Sequence, residues 1–221
     1  MQSIGVIFDL DGVIVDTAKY HFLAWKNLAD ELGFEFTETH NELLKGVSRV
    51  RSLEILLEIG NIELSEKKKQ EILISKNQDY LGYINKMGSN EILPGAETLL
   101  DNLDKLGIKY VLGSASKNAT LILNQVGLLN RFEGIVDGNS VSKAKPDPEV
   151  FLIGAQKLNL SPENCVVFED AIAGIEAANK AKMISVGIGD KDTLNNADFN
   201  FDSLVDIPDN FFHRFITQNN I

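Results

Sequence analysis

The chain has 221 residues, 44 % hydrophobic and 24 % charged, a globular balance that excludes disordered, collagenous and low-complexity proteins. With 32 Asp and Glu against 21 Lys and Arg, the formal net charge is −11. That excludes a general nucleic-acid binder, which needs a basic surface or stripe, and it disfavours anionic small substrates unless a local cluster of positive groups overcomes it.

Ser3–Phe8 (SIGVIF) is a short apolar run that reads as a buried strand ending in Asp9-Leu10-Asp11-Gly12. From about Asp16 to Gly88 no strand pattern occurs. Ala18, Phe22, Trp25, Leu28, Ala29 and Leu32 recur at helical spacing, as do Leu53, Leu56 and Leu57. Thr39-x-x-Glu42 fits a capping box, and Lys67-Lys68-Lys69 fits a solvated helix face. A helix with Ala96, Leu99, Leu100, Leu103 and Leu106 on one face follows, with Pro94 near its start and Gly107 past its end.

Ile108–Gly113 reads as a strand, Leu121–Val126 as a helix, Gly134–Val136 as a weaker strand and Pro148–Leu158 as a helix. Ser161-Pro162-Glu163 starts a short helical turn; Asn164–Phe168 is a strand, Ala171–Ala181 a helix and Met183–Ile188 a strand. Beyond Ile188 the pattern weakens, and six aspartates between Asp190 and Asp209 predict a solvated acidic edge. Strands alternating with helices predict an α/β fold, a doubly wound and mostly parallel sheet. Residues 1–15 and 89–221 form that core, and residues 16–88 form a small helical bundle inserted after the first strand. The single cysteine, Cys165, lies in an apolar run and reads as a buried inert thiol. No leader pattern opens the sequence at Met1–Gly5 and no apolar run spans a bilayer. The expectation is a cytoplasmic monomer acting on a small molecule, with neither nucleic acid nor membrane as partner.

Asp9 and Asp11 are two carboxylates at i and i+2 on the end of a buried strand, an arrangement costly without a cation. Ligands bind at the carboxyl ends of strands in open α/β sheets. A surface turn with Asp capping the next helix is the alternative. A calcium loop fails on spacing, because Val13, Ile14 and Val15 offer no side-chain oxygen. Glu169-Asp170 is a second acidic pair at a predicted strand end; alone it fits a helix N-terminus, but beside Asp9 and Asp11 it fits an oxygen site for Mg²⁺. Ser114-Ala115-Ser116-Lys117-Asn118 fits a phosphate cradle or an ordinary polar loop. Lys145, in a Pro-rich turn, fits a phosphate contact or a solvated lysine.

Asp9-Leu10-Asp11-Gly12-Val13, Ser114, Lys145-Pro146 and Glu169-Asp170 resemble, in this order, the four motifs of the haloacid dehalogenase superfamily, and the helical insertion resembles its small α-helical cap. Asp16-Thr17, Tyr20-His21-Phe22 with Trp25, the run Leu44-Lys45-Gly46-Val47-Ser48-Arg49 and Ser114–Asn118 resemble, more narrowly, the β-phosphoglucomutase family. Val15 departs from that pattern, standing where a polar residue is often found.

The resemblance implies a Mg²⁺-dependent interconversion of β-glucose 1-phosphate and glucose 6-phosphate, with β-glucose 1,6-bisphosphate as intermediate and priming donor. It makes Asp9 the nucleophile and Asp11 the general acid/base. It puts Mg²⁺ on the Asp9 carboxylate, the Asp11 carbonyl, Glu169 and Asp170. Ser114, Lys145 and the Ala115 amide would hold the transferring phosphoryl group. Arg49 with Ser116, Lys117 and Asn118 would hold the second phosphate. Thr17, His21, Trp25, Lys45, Gly46, Val47, Ser48 and Lys76 would line the substrate site, His21 as part of a relay to Asp11. A phosphatase acting on a sugar phosphate or another small phosphate ester shares Asp9, Asp11 and the metal. A non-catalytic sugar-phosphate sensor is a third reading, disfavoured because a binder needs no nucleophile beside an acid/base.

Overall fold

The computed structural model describes residues 4–216. Ser3, where the first strand is predicted to begin, and the Met1–Ser3 part of the segment read for a leader lie outside the described residues. Strands β1 (Gly5–Phe8), β2 (Lys109–Gly113), β3 (Ile135–Val136), β4 (Cys165–Glu169), β5 (Ile184–Ile188) and β6 (Phe199–Phe201) form one sheet in the order β3-β2-β1-β4-β5-β6. Every pair is parallel. The strands read as unbroken apolar runs because helices cover both faces. Val6, Phe8, Leu112, Val166 and Phe168 pack against α5 (Ala96–Leu106) and α6 (Ala119–Gln125). Their alternates Ile7, Val111, Cys165 and Val167 pack against α7 (Glu149–Leu158) and α8 (Ile172–Lys180).

The chain leaves β1 toward β2 and β3 on one side, then crosses to β4 on the other, so the crevice at the carboxyl ends of β1 and β4 is the topological switch point. Phe8 stands opposite both Leu112 and Phe168, and the Asp9 amide donates to the Phe168 carbonyl at 2.9 Å. Parallel register thus brings Asp9, Ser114 and Glu169-Asp170 to one edge.

Between β1 and α5 lie α1 (Ala18–Leu32), α2 (Glu38–Glu42), α3 (Arg49–Gly60) and α4 (Glu66–Ile84). Trp25, Leu28, Phe36, Leu53, Leu56 and Leu73 form an apolar cluster among these helices, separate from the two that flank the sheet. The Ser48 and Ser65 hydroxyls cap α3 and α4 by accepting from the Arg51 and Lys68 amides. The outward and return crossings run antiparallel: Val15 bridges Ile92, and the Leu93 amide donates to the Ile14 carbonyl at 3.0 Å.

Two local expectations are corrected. The capping box is Thr37 with His40, not Thr39 with Glu42: the Thr37 hydroxyl accepts from the His40 amide, and His40 Nδ1 accepts from the Thr37 amide. An imidazole nitrogen serves where the usual motif has a carboxylate, so the Glu spacing misleads. The segment beyond Ile188 is not merely a solvated edge. It supplies β6, and Phe211 and Phe212 are fully buried against Phe168. The aspartates conceal this; Asp198, one of them, accepts from the Ser185 amide beside β6 at 2.8 Å.

Candidate active site

Asp9 follows β1, and Glu169 ends β4; both are buried. Lys145 reaches between them, its Nζ donating to Asp9 Oδ1 at 2.5 Å and to Glu169 Oε2 at 2.8 Å. The other Glu169 oxygen accepts from the Ala171 amide at 3.1 Å. Asp170 joins them: one oxygen each of Asp9, Glu169 and Asp170 lie within 4.8 Å of one another. Gly12 permits this. Its φ is +81°, and a Cβ there would stand 2.1 Å from Asp170 Oδ2.

One ammonium does not neutralise three carboxylates. Burial, then the charge of Asp9, pushes Asp170 up to about 7. Burial also raises Glu169, against the pull of Lys145. Burial opposes the charge on Lys145, yet Asp9 and Glu169 together hold it above its ordinary value. A buried, all-oxygen set with surplus negative charge fits Mg²⁺. The Asp11 carboxylate is outside this group among the described residues. It accepts instead from the Thr17 hydroxyl. Burial, then Asp9, lifts Asp11 to about 7, a value suited to moving a proton near neutrality.

The helices supply the opposite wall. Lys76 of α4 is 3 % exposed. Its Nζ lies 3.0 Å from His21 Nδ1, 4.3 Å from the Trp25 ring centre and 4.9 Å from that of Tyr80. Burial, then Arg49, pulls Lys76 down to about 7. Burial, then Lys76 and Arg49, holds His21 well below its ordinary value, which makes the imidazole a neutral partner for the ammonium. Arg49 opens α3, half-buried and without an ion pair among the described residues.

A cavity of about 650 Å³ separates the two walls. Of the predicted site residues, Asp9, Asp11, Asp170, Ser114, Ala115, Ser116, Lys117 and Lys145 line it from the sheet side. His21, Trp25, Lys76 and the whole run Lys45–Arg49 line it from the helices. Gly46, at φ +70°, presses close to the core loop: a Cβ there would stand 2.7 Å from that of Ala171. The Ser114 hydroxyl accepts from the Ser116 amide at 3.0 Å, and the Ser116 hydroxyl from the Asn118 amide at 3.3 Å, which shapes the loop after β2.

Three predicted residues are not cavity walls. Thr17 stands behind Asp11, Glu169 is sealed beneath Lys145, and the Asn118 side-chain Nδ2 donates to Asn77 Oδ1 of α4 at 3.0 Å, bridging core and helices. Asn41, Asn77 and Lys143 do line the cavity and were missed. Polar residues on amphipathic helices and loops carry no sign of which way they face. Six cations (Lys45, Arg49, Lys76, Lys117, Lys143 and Lys145) stand on these walls against three carboxylates. This is the local positive cluster that an anionic substrate requires of so acidic a chain.

The family model for haloacid dehalogenase-like hydrolases matches residues 5–182. A beta-phosphoglucomutase of Bacillus subtilis is 45 % identical over 195 residues, 87 % of this chain and 86 % of that one. A phosphorylated carbohydrates phosphatase of Thermotoga maritima is 34 % identical over 80 % of each chain. A crystal structure of beta-phosphoglucomutase from Clostridium difficile superposes with a TM-score of 0.92 at 42 % identity, covering 97 % of both chains. Family match and motif geometry coincide, from Asp9 after β1 to the acidic pair at the end of β4, and the chain belongs to the haloacid dehalogenase-like hydrolases.

Proposed function

We infer that the chain is a Mg²⁺-dependent β-phosphoglucomutase, interconverting β-D-glucose 1-phosphate and D-glucose 6-phosphate through β-glucose 1,6-bisphosphate. One observation carries this reading. The Asp9–Asp11 wall and the Lys45–Arg49 wall face each other across a single cavity, in a chain 45 % identical to a beta-phosphoglucomutase.

Asp9 attacks phosphorus of the bisphosphate, and the bond from phosphorus to the sugar oxygen breaks. Asp11 delivers a proton to that leaving oxygen. In the return half, Asp11 takes the proton of a sugar hydroxyl, whose oxygen attacks the phosphoryl group on Asp9, and the bond from phosphorus to Asp9 breaks to restore its free carboxylate. Lys145 and the Ser114 hydroxyl stabilise charge on the phosphoryl oxygens. Asp9, Glu169, Asp170 and the Asp11 carbonyl would hold Mg²⁺, which when bound would supply charge neutralisation between the anionic nucleophile and the phosphate.

Turning the bisphosphate round requires a second phosphate site, and Arg49, with Ser116 and Lys117, serves it. The guanidinium fork suits phosphate. Asn118 belongs to that site through the loop it braces. His21 and Lys76 form a relay facing Asp11; Lys45 and the Gly46-Val47-Ser48 backbone close over the sugar beside Trp25. Residues 16–88 act as a cap over a core of residues 1–15 and 89–221, hinged near Asp16 and Gly88. Closure excludes water and directs the phosphoryl group to sugar rather than to hydrolysis. No described helix is long and apolar enough to cross a membrane, and the enzyme works as a cytoplasmic monomer.

The test supplies β-glucose 1-phosphate, Mg²⁺ and a trace of β-glucose 1,6-bisphosphate and follows glucose 6-phosphate, with the α anomer as control. Conversion of the β anomer alone is expected. No glucose 6-phosphate from either anomer would overturn the reading.

A further inference from the structure

Helix α1 starts without the usual means of holding a helix N-terminus. Its N-cap residue, Thr17, makes no side-chain capping bond, and the first turn contains no acidic residue. The Thr17 hydroxyl is committed to Asp11 instead. Orphan amides and the positive end of the macrodipole therefore lack their ordinary partner.

A carboxylate from elsewhere stands at that turn. Glu91 lies on the return crossing, 8 % exposed. It accepts from Lys19 Nζ at 2.5 Å and from Tyr20 Oη at 2.8 Å, both in the first turn of α1, and from Asn90 Nδ2 at 3.3 Å. Its backbone carbonyl accepts from the Asp16 amide at 2.9 Å, one residue before Thr17. The next residue, Ile92, bridges Val15. Tyr20 in turn stacks on Tyr83 of α4, ring centres 5.5 Å apart. Side chain and backbone of one residue thus tie the return crossing to the start of α1. Lys19 and Tyr20 sit between Thr17, which holds Asp11, and His21, which holds Lys76.

We propose that Glu91 is a positioning residue for the acid/base step: through Lys19 and Tyr20 it ties the uncapped first turn of α1 to the return crossing and so sets where Thr17 holds the Asp11 carboxylate. This rests on the assignment of Asp11 as general acid/base. Glu91 touches neither cavity nor metal group. Its effect is confined to steps that need a proton delivered or removed. Breaking the bond from phosphorus to an alkoxide oxygen needs that proton; breaking the bond to the acetate of acetyl phosphate does not.

The test is single-turnover phosphorylation of the intact protein with Mg²⁺, using acetyl phosphate and a set of alkyl phosphates that includes β-glucose 1,6-bisphosphate. Glu91→Ala should slow phosphorylation by the alkyl phosphates roughly tenfold or more, the range for a misplaced proton-transfer group. Acetyl phosphate should react within about twofold of the wild-type rate. Glu91→Gln, which keeps the Tyr20 bond, should fall between. Should Glu91→Ala fail to fold, Tyr20→Phe and Lys19→Met break the same link from the other side and should show the same selective loss. Equal slowing with both donor classes, or no slowing with either, overturns the proposal. A wild type that accepts phosphoryl from other alkyl phosphates but not from the bisphosphate breaks the mutase reading; the same ratio on those esters still decides the role of Glu91.

Discussion

The two walls of the cavity are electrostatic opposites, each unfavourable alone. On the sheet side, Asp9, Asp11, Glu169 and Asp170 converge on backbone fixed by parallel register, and burial lifts three of them. On the helical side, Lys76, Arg49 and His21 crowd together, and burial pulls all three down. On one side four carboxylates share the one buried ammonium of Lys145; on the other Lys76 and Arg49 stand without an ion pair among the described residues, with about 650 Å³ between the walls. A metal ion answers the first surplus and a phosphate ester the second. In the proposed mechanism the floor carries the phosphoryl chemistry and the helices determine what receives the phosphoryl group.

The largest break in that comparison is on the floor. Asp9→Asn should lower turnover by roughly 10⁴-fold or more, as loss of a nucleophile does, while calorimetry still detects sugar-phosphate binding. Turnover at the wild-type rate would remove Asp9 as nucleophile. Lys145→Met comes next. It leaves Asp9 and Glu169 buried without their ammonium, and activity should fall by about 10²–10³-fold. Added Mg²⁺ should raise the thermal midpoint of this variant more than that of the wild type, because the cation then neutralises more uncompensated charge.

The helical wall gives smaller and more selective effects. Arg49→Ala should reduce sugar-phosphate turnover by roughly 10–100-fold, the loss of one charge-assisted contact. Hydrolysis of a small acyl phosphate should be spared, and equal losses on both would argue against a phosphate site there. Lys76→Met should act on stability. A lysine whose pKa falls from 10.5 to about 7 on folding opposes folding fully below about pH 7, and the penalty fades as pH climbs toward 10.5. The variant should therefore melt about 2–4 °C higher at neutral pH, the shift that ~1 kcal/mol brings at this size. Its advantage should shrink by pH 10 in thermal denaturation, with activity reduced throughout.

The two walls also differed in legibility. Asp9-x-Asp11 and Glu169-Asp170 stand at the ends of apolar runs, and parallel register does the rest, so the floor could be assembled from strand positions alone. The sheet's central four strands were visible for the same reason. The helical wall was read through the run Lys45–Arg49 and its resemblance, because helical periodicity marks the buried face but not the partner of a polar residue. Asn77 and Asn41 look like any solvated residue until the helices pack. Lys76 lies on a helix whose lysines at 67 and 68 are exposed, and the tertiary approach of His21 and Trp25, beside Tyr80 one turn along the same helix, buries it. Glu91 and β6 escaped for a related reason. Glu91 depends on a contact made 72 residues away along the chain, and β6 is a three-residue strand in a segment too acidic to signal burial.

The most direct measurement follows both fates of the phosphoryl group in one reaction. β-Glucose 1-phosphate, Mg²⁺ and a trace of the bisphosphate are supplied to the wild type and to Arg49→Ala, and glucose 6-phosphate and free phosphate are recorded together. The wild type should form glucose 6-phosphate with little phosphate release, and Arg49→Ala should shift the balance toward phosphate. Stoichiometric phosphate from the wild type, or the same balance in both proteins, would contradict the division of labour between floor and helices.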